Sequence, residues 1–482
     1  MPAEIEGYFK KEFGIDAGLC RRLLERALSR GGDFADLFFE HTVKDWAGLE
    51  DGKVDRSRGE VILGVGIRTV KGAQVGYGFT QDLREEAMLA AAATAASLVN
   101  QAARPVAAGF TARRHSGFYS TDPARAGIAL EAKIPALKSV HGLCLGASPL
   151  VSKVTAGFAS SLRRILVATS DGVLAEDCAP LSNFSVQVVV EKGGRRERAG
   201  WDLGGRREAS TYAPAAVEGL ARRAVDRALV LLEAVQPPSG TFAVVLGPGL
   251  SGVLLHEAIG HGLEGDLNRT GASTYASSMG ARVAGEGVTI VDDATLEGAP
   301  GSLHCDDEGT PGQRTVVVEK GMLTGYLHDR ISAGHYGAAP TGNGRRQDFT
   351  HEPIPRMRNT YLLPGEAAPE DLVREAGQGI YVEDVANGQV RIGEGDFSFY
   401  VSQGRLIENG RLGAPIKDVN IMGNGPRLLA DIVRVGNDLA HYHGGGGLCG
   451  KNGQLVPVGF GMPTCLVRSL TVGGVQAQGG RP

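Results

Sequence analysis

His256-Glu257-Ala258-Ile259-Gly260-His261 is the densest run of chemically capable side chains in the sequence. Neutral imidazole nitrogens are good zinc ligands, and two on one helix can fill two corners of a tetrahedron. A glutamate directly after the first histidine stands where zinc hydrolases place the base that deprotonates a metal-bound water. The spacing, H-E-x-x-x-H, has a geometric cost. Histidines four apart lie about 40° apart around a 3.6-residue turn, whereas five apart they lie about 140° apart and cannot share a metal on a regular helix. The run therefore predicts a local distortion, either a π-bulge between the histidines or a distorted turn over 260–262, eased by the freedom of Gly260. On a regular helix the same pair would be two ordinary surface residues. Chemistry is favoured because Val253, Leu254, Leu255, Ala258 and Ile259 make the helix apolar, and buried ionisable groups need partners.

A third ligand must come from elsewhere. Cys449 lies in His443-Gly444-Gly445-Gly446-Gly447-Leu448-Cys449-Gly450-Lys451, a glycine-rich loop able to bring a thiolate to a metal. Its rivals are Glu264 and Asp266, just beyond His261, and Cys305, beside His304, Asp306 and Asp307. Spacing does not choose among them. The loop before the helix also spells G-x-G-x-x-G at Gly247, Gly249 and Gly252, the pattern of a dinucleotide pyrophosphate site. That reading lacks a following strand with an acid about 20 residues on, and Pro248 argues against it.

The elements that must carry these residues fall into two halves. In the first, residues 35–40 and 61–68 read as strands and 83–103 as a long helix with Asp82 as N-cap. Strands at 165–169 and 184–191, a turn at Lys192-Gly193-Gly194 and a helix over 214–234 repeat that order, a pattern consistent with internal duplication. Gln236-Pro237-Pro238-Ser239-Gly240 is the clearest linker. We place a domain boundary there, giving an N-terminal α/β domain over 1–235 and a C-terminal β-rich domain over 236–482. In the second half short strands are expected at 241–246, 288–291, 314–319, 379–382, 397–401 and 455–459, around one prominent helix capped by Ser251. The fold class is α+β, with long helices on a sheet in the first domain and the zinc-ligand helix embedded in the second.

Composition narrows the function classes. The 482 residues are 42% hydrophobic and 22% charged, which suits a packed globular chain. Glycine, at 71 residues, is about twice its ordinary share of roughly 7%, pointing to many tight turns. A net charge of −4 gives no overall electrostatic reason to bind nucleic acid. Arginine outnumbers lysine 38 to 12, and pairs such as Arg163-Arg164 and Arg345-Arg346 read as solvated faces. Six cysteines are too few for a disulfide framework and suit a reducing, cytoplasmic setting. The start, MPAEIEGYFKKEFG, has no secretory pattern, and the alanine-rich stretch 87–104 reads as a buried helix rather than a membrane span.

Beyond these local features, longer runs resemble the TldD/PmbA family of zinc metallopeptidases, in particular its zinc-bearing subunit. They are HEAIGHGLEGD at 256–266, VTIVDDATL at 288–296, DDEGTPGQRTVVVEKGMLTGYLHDR at 306–330, PTGNGRRQ at 340–347, PRMRNTYL at 355–362 and GEGDFSFYVSQGRLIENG at 393–410. IMGNGP, VGNDL and CGKNGQLVPVGFGMPT follow, and EDGKVDRSRGEVILGVGIRTVKGAQVGYGFT extends the likeness into the first half. The resemblance implies a metalloprotease with Zn2+ held by His256, His261 and Cys449, and Glu257 as general base. It implies proteolysis of unfolded peptides or small, poorly folded proteins. It also implies pairing with a TldE/PmbA-like paralogous subunit as a heterodimer, a homodimer being the other arrangement considered. Members have also been described as modulators of DNA gyrase, so the rival expectation is a non-catalytic peptide-binding or regulatory scaffold with a structural zinc.

Overall fold

The computed structural model describes residues 7–113, 117–391, 394–442, 444 and 447–474. The first six residues of the start read above, and His443, Gly445 and Gly446 of the glycine run, lie outside the described residues.

The first half is built from two α-β-β-β-α units. After the short helix α1 (Tyr8–Phe13), α2 (Ala17–Ala27) leads into β1 (Phe34–Glu50), β2 (Lys53–Lys71), β3 (Gln74–Thr80) and α3 (Glu85–Ala96). A short strand, β4 (Thr111–Arg113), and a short helix, α4 (Pro123–Ala126), connect to the second unit. That unit comprises α5 (Leu130–Ala147), β5 (Val151–Thr169), β6 (Val173–Lys192), β7 (Arg195–Gly205) and α6 (Pro214–Leu232). The strands form one sheet in the order β3-β2-β1-β5-β6, and the outer edge of β6 is shared by β4 and β7. β1 and β5 pair antiparallel along the middle, from Asp36 opposite Thr169 to Glu50 opposite Thr155. Each unit therefore presents the same element order on either side of that central pair, with its own apolar core beneath its own two helices.

Several elements differ from expectation for local reasons. The helix expected over 83–103 runs only Glu85–Ala96 and is capped by Arg84. Asp82 instead accepts from the Arg84 amide and guanidinium. Helix α5 falls in a stretch for which no element was expected. Pro135, at the sixth residue, lies inside the helix and removes one intrahelical N–H bond there.

In the second half the longest strands belong to a closed barrel. Gly379–Val390 pairs parallel with β8 (Gly240–Leu246), β8 with Cys465–Gly474, and that strand with Val419–Asn424. Val419–Asn424 pairs with Asp396–Glu408, which returns to Gly379–Val390 and closes the ring. A separate six-stranded sheet includes Ile290–Asp293, Asn359–Leu362 and Gly459–Met462. The segment expected as one strand over 455–459 is divided: Gln454–Pro457 joins a hairpin, and Gly459–Met462 enters the six-stranded sheet.

Buried ions and an apolar patch join the halves. Phe38, Ile165, Val167, Val173 and Ala175 pack against Cys305 and Phe349. Around them Arg68 bridges Asp36 and Glu308 at 2.7 and 2.6 Å, and Arg163 bridges Glu40 and Asp307 at 3.3 and 2.9 Å. Arg346 reaches Asp36 and the Asp307 carbonyl. The Arg345-Arg346 pair is thus no solvated face but fully buried. Such charges are tolerated only with partners in place.

Candidate active site

The chain leaves β8 through Gly247-Pro248-Gly249 and enters a helix that changes geometry three times. Leu250–Gly252 is a 3-10 turn, Val253–Leu255 is α-helical, His256–Gly260 is π-helical and His261–Leu263 is 3-10 again. The π turn adds the residue that the five-residue spacing requires, and so brings both histidines to one side. Their rings sit 5.1 Å apart, near perpendicular. Ser251 is not the N-cap; Gly249 is, and the Ser251 hydroxyl donates to the Gly247 carbonyl. The glycines of the G-x-G-x-x-G pattern serve internal packing. The Gly247 and Gly249 amides donate to the Val382 and Met462 carbonyls, and a Cβ on Gly252 would stand 2.8 Å from the Gly461 backbone. Those amides are committed to the protein rather than to a phosphate.

Cys449 arrives on a hairpin, Leu448–Lys451 paired with Gln454–Pro457, closed by Asn452-Gly453 with both residues at positive φ. Strand alternation turns Cys449, Lys451, Gln454 and Val456 inward and leaves Leu448 and Leu455 exposed. The Cys449 Sγ lies 3.3 Å from His261 Nε2. Donor atoms of His256, His261 and Cys449 all fall within 4.8 Å of one another, and all three residues are buried. Tetrahedral zinc with these ligands separates donors by roughly 3.3–3.8 Å, so the donor set and spacing fit that ion with small adjustment. Glu257 is different. Its side chain is 26% exposed and its Oε2 is 3.9 Å from His261 Nε2, beside the cluster and open to solvent.

Electrostatics binds the cluster together. Burial pushes the Cys449 thiol up, but His256 and His261 overcome that and hold it at about 4. Burial pushes both imidazoles down, yet Cys449 raises His256, and Glu264 with Cys449 raises His261 well above its ordinary value. The His261 Nδ1 lies 3.0 Å from Glu264 Oε2. A carboxylate only accepts, so Nδ1 carries a hydrogen, and Nε2, which faces Cys449 Sγ, is the nitrogen that would bind a metal once its own proton leaves.

The rival ligands sit elsewhere. Glu264 is on the far side of the His261 ring from Cys449, Asp266 pairs with Lys451 at 2.7 Å, and Cys305 is in the apolar patch between the halves. Burial, with Asp177 and other acids nearby, keeps the Cys305 thiol protonated. Sequence reasoning missed Lys451, Arg356 and Arg345, which surround the hairpin. Arg356 donates to the Cys449 and Gln454 carbonyls, and Arg345 to the Pro457 carbonyl at 2.7 Å. The signal for Lys451 was present: two residues from Cys449 in a strand, it shares its face.

Comparison with known proteins matches three family descriptions in order along the chain. PmbA/TldA metallopeptidase domain 1 covers residues 35–99, the central domain 126–232 and the C-terminal domain 239–474. The chain belongs to the PmbA/TldD metallopeptidase family. It is 37% identical over 459 residues to a metalloprotease TldD homolog of Buchnera aphidicola, covering 94% of this chain and 95% of that one. A metalloprotease TldD homolog of Haemophilus influenzae is 38% identical over 453 residues, covering 92% and 94%. A zinc metalloprotease TldD homolog of Saccharolobus solfataricus is 33% identical over 244 residues, 50% of this chain and 54% of that one. Among solved structures, TldE from Thermococcus kodakarensis shares the fold, with a TM-score of 0.74 at 18% identity over 95% of this chain and 99% of that one. So does a putative modulator of a DNA gyrase from Thermotoga maritima, with a TM-score of 0.74 at 22% identity over 91% and 96%. Among the described residues of this PmbA/TldD member, no helix is long and apolar enough to cross a membrane.

Proposed function

We propose that this chain is the zinc-binding, catalytic member of its family, hydrolysing peptide bonds in unfolded peptides or small, poorly folded proteins. The observation that carries the reading is the convergence of two buried imidazoles and a buried thiol, with a partly exposed carboxylate beside them. His256, His261 and Cys449 would hold the ion. Three protein donors leave a fourth position, the arrangement of catalytic rather than structural zinc. Bound zinc supplies Lewis acidity, which makes a water nucleophile available near neutral pH and polarises a scissile carbonyl. Glu257 takes the proton of the attacking water and returns it to the leaving amine, for which its position at the solvent edge of the cluster suits it. His261 is held in one tautomer by Glu264.

An open trough of about 750 Å3 lies against the first-half sheet with Leu448, the residue before Cys449 in sequence, on its wall, and is the proposed landing surface for substrate. Trp46, Leu181 and Leu448 line it together with the charged Lys44, Arg56, Arg58 and Glu60, a mixed surface able to meet both apolar and charged side chains of an extended chain. We assign catalysis to residues 236–482 and most of the wall of the trough to 1–235. The TldE structure with the same fold supports a paralogous partner, paired as a heterodimer. Six free cysteines support a reducing, cytoplasmic setting.

The test is hydrolysis of an unfolded protein substrate by the full chain, with a paralogous partner present, before and after zinc chelation. Cleavage that disappears on chelation and returns with zinc is expected. Binding of the substrate without cleavage under all conditions would replace the peptidase with a peptide-binding scaffold.

A further inference from the structure

The three candidate ligands come from two pieces of chain, and Cys449 and His261 are 188 residues apart in sequence. Their relative position decides whether a site exists at all, so the contacts between the two pieces matter. Lys451 follows Cys449 by two residues on the same face of the hairpin, and its Nζ meets Glu264 Oε2 at 3.0 Å, Asp266 Oδ1 at 2.7 Å and the Pro355 carbonyl at 3.2 Å. The same Glu264 oxygen accepts from His261 Nδ1 at 3.0 Å. Glu264 Oε1 and Arg356 Nε, both buried and without a hydrogen-bond partner, face each other at 3.8 Å. Arg356 also grips the hairpin backbone, donating to the Cys449 carbonyl at 2.6 Å and the Gln454 carbonyl at 3.2 Å. The contacts form a closed circuit. It runs from His261 to Glu264, on to Lys451, along the hairpin to Cys449, and across 3.3 Å back to His261.

We propose that Glu264 is a positioning residue that ties the histidine helix to the cysteine hairpin, through His261 on one side and Lys451 and Arg356 on the other, so that the three ligands are held at metal-binding separation. Resting on the zinc reading above, it adds what sets the site's geometry. His261, Glu264, Arg356, Cys449 and Lys451 are buried and Asp266 is half-buried; Glu264 faces Lys451 and Arg356, and Asp266 pairs with Lys451. Removing one member leaves an uncompensated buried charge and frees one piece of chain from the other. Outer residues that orient metal ligands typically contribute about 10- to 100-fold in metal affinity.

The test uses the full chain and reads metal, not turnover. Zinc affinity is measured by competition with a chromogenic chelator, and ligand geometry by the visible spectrum of the cobalt-substituted protein, with circular dichroism checking that each variant folds. Glu264→Gln is expected to weaken zinc about 10-fold, Glu264→Ala about 100-fold and Lys451→Met about 10-fold, each with an altered cobalt spectrum. Because the residues act as one unit, Glu264→Gln with Lys451→Met should lose little more than the worse single variant. If Glu264→Ala does not fold, the isosteric Glu264→Gln and the Lys451→Met variant carry the test. Wild-type affinity and an unchanged spectrum in Glu264→Gln, or losses that multiply in the double variant, would overturn the inference while leaving the zinc reading intact. A wild-type protein that takes up no metal would overturn both.

Discussion

Helix α6 and the helical run from Leu250 to Leu263 lie only about 20 residues apart, yet they are built on opposite rules. Helix α6 is regular for nineteen residues, starts on a proline at its first turn and buries one stripe, Val217, Leu220, Ala221, Ala224, Val225, Ala228, Leu231 and Leu232. Its outer face carries an Arg222–Glu218 pair one turn apart. Propensity, periodicity and packing agree there. The run from Leu250 is buried nearly all round and passes through 3-10, α, π and 3-10 geometry. Its irregularity is not left over from poor packing. Gly425 brings the neighbouring helix against the π turn so closely that a Cβ there would lie 2.0 Å from the Ala258 carbonyl oxygen, and Gly260 is covered by the Met357 sulfur. The comparison teaches that surrounding chain, not local preference, holds the geometry that places the histidines.

Four substitutions separate the two helices, in descending order of effect. Glu257→Gln should lower peptide turnover by about 10³-fold, within the range of a lost general base, while zinc content stays at the wild-type level. Steady-state kinetics with metal analysis reads both, and undiminished turnover would remove Glu257 from the chemistry. Gly425→Ala forces a side chain onto a backbone carbonyl that cannot turn aside; it should cost about 3 kcal/mol in denaturant unfolding and weaken zinc binding together with stability. Gly260→Ala meets only the Met357 side chain, which can shift, so the loss should be nearer 1 kcal/mol. Gly219→Ala, in the middle of α6 with open space around its Cα, should instead stabilise by about 0.5–1 kcal/mol. Equal effects at positions 219 and 260 would erase the distinction between a helix set by its own sequence and one set by its neighbours.

Legibility in the sequence followed the same division. The helix over 214–234 was readable almost to its ends, as were the strands at 241–246 and 314–319, because each obeys one period. The distortion at His256–Gly260 was readable too, since spacing of five conflicts with a regular helix and a conflict is itself a signal. The strands of the first half were recognised only as fragments of β1, β2, β5 and β6; in β2 the part left out is mostly exposed, whereas β1, β5 and β6 run on as buried or half-buried chain. The arginine pair at 345 and 346 was misread, because charge in sequence does not reveal that Asp36, Asp307 and backbone carbonyls wait for it inside. Glu264 was noticed for its ability to bind metal, but only the fold shows that it faces the far nitrogen of His261 and the ammonium of Lys451.

The central claim, that a zinc ion joins the distorted helix to the hairpin, is tested most directly by the metal content of purified, tag-free protein measured beside its Cys449→Ala variant. One zinc per chain in the wild type, largely lost in the variant, is the predicted result. Wild-type protein that holds no zinc even after reconstitution would contradict it.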